Sequence, residues 1–200
     1  MNALGYIEHI YQELLDKQVR VLSLGGDHAV TLPIIRAYEK HYSNLNILHF
    51  DAHPDLYDDL QGNRYSHACP FARIMEEGLI KNLVQVGIRT MTPHQQEQAD
   101  RFNVTVIDMI SLPKGLTRLQ FSGPVYVSLD LDALDPAYAP GVSHLEPGGL
   151  RTRDVISVIQ QIKAPIVGAD IVEYNPVRDI NGMTAMVAAK LMKELADKML

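Results

Sequence analysis

Short apolar runs rich in β-branched residues recur along the chain at Val19–Leu24, Asn46–Phe50, Leu83–Ile88, Val104–Ile107, Val125–Leu129 and Ile166–Ile171. Their apolar positions are nearly continuous rather than alternating, the pattern of strands covered on both faces in a parallel sheet. Helical spacing lies between them. Leu4, Ile7, Ile10 and Leu14 share one face, as do Val155, Ile156, Ile159 and Ile162 after the polar start Thr152, and Met183–Leu195 reads as a last helix rich in Ala and Met. Strands alternating with helices predict an α/β fold with helices on both faces of the sheet. No repeat, low-complexity tract or Ser/Gly-rich linker interrupts the 200 residues, so one domain over 1–200 is expected.

In open α/β sheets the functional crevice lies beyond the carboxyl ends of the strands. The residues there are Gly25-Gly26-Asp27-His28, Asp51-Ala52-His53-Pro54-Asp55, Asp130-Leu131-Asp132 and Asp170 to Glu173. Asp51, His53 and Asp55 follow a strand at period two, so in extended backbone they share a face. Asp130 and Asp132 repeat that spacing, and two buried carboxylates so close need a cation or protons between them. Two glycines permit a tight turn that sets His28 at the start of a helix. Taken singly, each of these is an ordinary cap or turn residue. Together, four carboxylates and two imidazoles without a thiolate suit a hard divalent ion such as Mn²⁺, and shared aspartates suit two per chain.

Composition narrows the class. Hydrophobic residues make up 46% and charged residues 21%, and the formal charge is −6, which argues against a nucleic-acid partner built on basic patches. No apolar run is long enough for a membrane span, and MNALGYIEHIYQELLDKQ lacks the basic and apolar regions of a secretory signal. The single cysteine, Cys69, points to a reducing compartment and a cytoplasmic location.

The segments GGDHAVTLP, HFDAHPDLYD, YSHACPFARI, SLDLDALDPAYAPG and ADIVEYNPVRD resemble, in order, the signature segments of the ureohydrolase (arginase/agmatinase) family. SHLEPGGL, GNRYSHA and NGMTAMVAAKLMKELA resemble plant-type arginases and their bacterial relatives more than animal arginases. The resemblance implies a three-layer α/β/α domain with a mainly parallel sheet and a binuclear manganese centre. One ion would take His28, Asp51, Asp55 and Asp130, and the other Asp51, His53, Asp130 and Asp132. It also implies that His67 transfers a proton, that Glu173 binds a guanidinium, and that His144 and Asn63 contact the substrate. His49 abuts this set and is expected behind the ligands.

By that resemblance the substrate is a small guanidino compound, cleaved to release urea, and the protein is a homo-oligomer, trimeric or hexameric. Family members carry a longer segment before GGDH than the 24 residues here, which predicts an exposed sheet edge. A second reading follows from it: a metal-binding or regulatory subunit without turnover. A deacetylase-type metal hydrolase is a third, disfavoured by Glu173 and by the pairing of DAHPD with DLD. Tyr57, Asp58, Asp59 and Thr92 stand where animal arginases bind an amino-acid head group, which leaves arginine, agmatine and other guanidino compounds open.

Overall fold

A computed structural model describes residues 2–112 and 119–200. All six expected strands are present: β1 (Val21–Leu24), β2 (Asn46–Phe50), β3 (Asn82–Ile88), β4 (Thr105–Asp108), β5 (Val125–Asp130) and β6 (Ile166–Val172). They pair in parallel in the order β1-β6-β5-β2-β3-β4. The inner strands β6, β5 and β2 are buried at every position, in keeping with their nearly continuous apolar sequences. Val19 and Arg20 fall outside β1, which forms one edge of the sheet and is only half-buried.

Among the described residues, six α-helices cover the two faces: α1 (Ala3–Asp16), α2 (Thr31–Glu39), α3 (Pro70–Glu76), α4 (Pro93–Arg101), α5 (Thr152–Gln161) and α6 (Met183–Met199). On one face, Tyr11, Ile35, Phe71 and Ala99 from the first four helices pack on Ile47, Tyr126 and Val167. On the other, Val155, Ile159, Leu191 and Leu195 from α5 and α6 pack on Leu48, Val127, Leu129 and Ala169. Successive residues of a strand point to opposite faces, so one run of apolar residues supplies both cores. The result is the expected three-layer α/β/α arrangement. No helix among the described residues is long and apolar enough to cross a membrane.

Candidate metal centre

Four neighbouring strands, β1, β6, β5 and β2, end on the same side of the sheet and carry the charged residues. After β1, Gly25 and Gly26 lead into a 3-10 turn, His28–Val30, of which His28 is buried and which precedes α2; Asp27 caps that turn by accepting the Ala29 N–H at 3.2 Å. After β2, Asp51 accepts the His53 N–H at 2.6 Å, and Asp55 takes left-handed backbone at φ 49°. Asp130 closes β5 and accepts the Asp132 N–H at 2.8 Å, while Asp132 accepts the Ala52 N–H at 3.1 Å. These backbone bonds tie the end of β5 to the end of β2.

The six expected ligands converge. His28 Nδ1 lies 3.2, 3.1 and 3.3 Å from carboxylate oxygens of Asp51, Asp55 and Asp130. His53 Nδ1 lies 3.4 Å from Asp51 Oδ1 and 3.1 Å from Asp132 Oδ2. Asp51 therefore turns Oδ2 to one imidazole and Oδ1 to the other. All but His53 are buried.

Whether these residues suit a cation is tested by His28. Its Nε2 sits 2.9 Å from Ser128 Oγ, whose own proton goes to Asp170 at 2.7 Å, so the imidazole donates there. Asp170 also accepts from Tyr126 at 2.8 Å and Thr31 at 3.0 Å. The other ring nitrogen, Nδ1, is buried among three carboxylates yet makes no hydrogen bond. A nitrogen fixed from behind and aimed at clustered anionic oxygens is the donor set of a hard divalent ion.

The electrostatics agree. Burial, and then the Asp51 charge, push Asp55 up to about 7 and Asp132 up to about 6. Burial and the charges of Asp132 and Asp51 hold Asp130 well above the carboxylate range. Burial opposes the charged forms of His28 and His53, but the carboxylates around them outweigh it, raising His28 well above its usual value and His53 to about 11. Asp51 goes the other way: burial resists, yet the three imidazoles of His28, His49 and His53 hold it well below the usual range. Without a cation, protons must neutralise this cluster.

An open cleft of about 200 Å³ lies over the cluster, lined by His53, Asp55, Tyr57, His67, Asp130, Asp132, His144 and Glu173 among others. His67 and His144 stack across it, with ring centroids 5.9 Å apart at 21°. Glu173 follows β6 with φ 65°, its N–H donating to Gly26 O and its carboxylate accepting the His28 N–H at 3.0 Å. Thr92 caps α4 by accepting the Gln95 N–H and also faces the cleft. Asn63 stands apart: it is exposed, its amide oxygen accepts the Tyr65 N–H, and it does not line the cleft.

Several contributors had weaker sequence signals. His49 is fully buried and donates to Asp51 at 2.8 Å; its parity with Asp51 along β2 is the signal that marks it. Ser128 shares parity with Asp130 in the same way. Arg89 was not marked by any spacing; its guanidinium bonds the carbonyls of Asp132 and Glu146, both at 2.6 Å, and ties the loop after β5 to the centre.

The Arginase family model matches residues 1–197. Arginase 1, mitochondrial, of Arabidopsis thaliana is 51% identical over 99% of this chain and 60% of its own length. Guanidinopropionase of Pseudomonas aeruginosa is 40% identical over 98% of the chain and 65% of its own. Among solved structures, an arginase from Medicago truncatula superposes with a TM-score of 0.92 at 47% identity, covering 98% of this chain and 64% of that one. The chain thus spans about 60% of the Arabidopsis relative. The cytoplasmic expectation is corrected by the relatives' names, since the Arabidopsis arginase and one from Medicago truncatula are mitochondrial. A lone cysteine speaks to redox conditions and carries no address. Ordered motifs, parallel sheet, clustered ligands and relatives near half identity agree that the chain belongs to the arginase family.

Proposed function

We propose that this chain holds two Mn²⁺ ions and hydrolyses the C–N bond of a guanidino compound, releasing urea. The observation that carries the reading is Asp51, which presents one carboxylate oxygen to each imidazole of the cluster. His28, Asp51, Asp55 and Asp130 would hold one ion, and Asp51, His53, Asp130 and Asp132 the other. Bound there, the pair supplies a water activated at neutral pH beside an electrophilic carbon.

The remaining steps belong to side chains. A guanidinium is a planar cation, and the Glu173 carboxylate at the cleft can pair with it and orient it. That carboxylate is already held by the His28 N–H, so its position is set before substrate arrives. The leaving amine needs a proton, which the His67 imidazole on the cleft wall would give. His144, stacked on His67, would contact the substrate tail. Arginine, agmatine and other guanidino compounds all carry the group that Glu173 would recognise. Self-association to trimers or hexamers completes the reading, supported by the exposed Val177, Ile180, Met183 and Met186.

Urea release measured with added Mn²⁺ across arginine, agmatine and guanidinobutyrate tests the reading, alongside elemental analysis after metal loading and desalting. About two Mn²⁺ per chain and urea from one of these substrates are expected. Two bound ions without urea from any guanidino compound would leave a metal-binding subunit instead, and a stoichiometry near zero would sink both.

A further inference from the structure

Strand β2 lies between β3 and β5, with His49 opposite Gln85 on one side and Ser128 on the other. The Gln85 side-chain nitrogen is 2.6 Å from Pro54 O and 3.0 Å from His49 Nδ1. A carbonyl only accepts, so the atom facing Pro54 is the NH₂ group and the amide has one possible orientation. Its two hydrogens have two acceptors, Pro54 O and His49 Nδ1. A ring nitrogen that accepts a hydrogen bond carries no proton, which places the proton of neutral His49 on Nε2. That atom lies 2.8 Å from Asp51 Oδ2.

We propose that Gln85 and His49 are positioning residues for the metal centre: Gln85 locks His49 in its Nε2–H form, and His49 then donates to Asp51 and fixes the rotation of the shared carboxylate. This rests on Asp51 being a ligand of both ions. One nitrogen of His49 clusters with His28 and Asp51 closely enough to suggest a third imidazole ligand. The hydrogen-bond inventory excludes that role, because the only lone pair on the ring is taken by Gln85. Phe71 stacks on the same ring, with centroids 4.0 Å apart at 29°, and resists its tilting. Gln85 Oε1 is buried without a partner. A buried acceptor without a partner is costly, so packing alone does not account for a glutamine here, whereas its two donors do.

The test uses ¹⁵N-histidine NMR of the metal-free protein, with Mn²⁺ binding followed by electron paramagnetic resonance. The unsubstituted protein is expected to show His49 protonated on Nε2 and bare on Nδ1; the opposite tautomer overturns the proposal without any variant having to fold. Gln85→Glu, at a pH where the new carboxylate is ionised, cannot donate and should draw the proton onto Nδ1. Gln85→Met removes both donors at similar volume and should weaken Mn²⁺ binding about 10–100-fold, the usual effect of losing a partner behind a ligand. Unchanged Mn²⁺ affinity in Gln85→Met overturns the positioning role. If the unsubstituted protein binds no Mn²⁺, the reading of the cluster as a metal centre fails instead, and it fails in a separate measurement.

Discussion

Asp55 and Glu173, both lining the cleft, hold left-handed backbone, each without the freedom of glycine. Such conformations cost on the order of 1–3 kcal/mol apiece and persist where surrounding structure enforces them. Here a carboxylate is aimed by each, one at the cluster and one at the cleft, so single substitutions should separate their duties. Asp130→Asn should lose both ions, because its oxygen would be shared, whereas His28→Ala should chiefly weaken one; elemental analysis of the two variants distinguishes them. His67→Ala should keep its metal and lose about 10²–10⁴-fold in turnover, the usual contribution of one general acid. Loss of metal from that variant would make His67 a ligand. Glu173→Gln keeps the shape and removes the charge that would pair with a guanidinium, so it should act mainly on substrate capture, read as a raised KM in urea production.

At the scale of elements, the close packing of β6 against α2 makes a separate prediction. A methyl group at Gly168 would overlap the Tyr38 ring, which is fully buried. Gly168→Ala should destabilise the fold by roughly 1–3 kcal/mol, as overpacking does, lowering the denaturant midpoint. The sheet was legible from sequence because strands buried on both faces write unbroken apolar runs. Helix α4 was not, since Pro93–Arg101 buries only Gln95, Gln98 and Ala99 and is held by its Thr92–Gln95 capping box rather than by an apolar face. The clustering of the proposed ligands was legible through period-two spacing after β2 and β5. Arg89 and Gln85 were not, because what they do depends on which carbonyls and rings another strand brings to them. Asn63 shows the converse: its motif matched, but its side chain satisfies its own turn.

Over the whole molecule, the buried charges of the centre couple folding to pH and to metal. Groups whose native pKa exceeds the unfolded value lose their stabilising effect as pH rises between the two. His53, raised from 6.5 to about 11, acts in this direction throughout the range above the ordinary imidazole value, and Asp55, raised to about 7, adds to it only up to about pH 7. Metal-free protein should therefore melt at lower temperature as pH goes from ~6.5 to ~8.5, and added Mn²⁺ should raise Tm more at the higher pH. Calorimetry at both values checks this, and equal metal-induced shifts would contradict it. Light scattering addresses assembly: an oligomer is expected, and a stable monomer at micromolar concentration would contradict the trimer or hexamer.

The order β1-β6-β5-β2 has a temporal consequence. All six proposed ligands lie between residues 28 and 132, yet His28 follows β1, which reaches the strands bearing the others only through β6 at residues 166–172. A growing chain would have every ligand exposed long before it could bring them together. Strand β6, made after the other five described strands, is the keystone, and uptake of a full complement of metal would signal that it has been inserted.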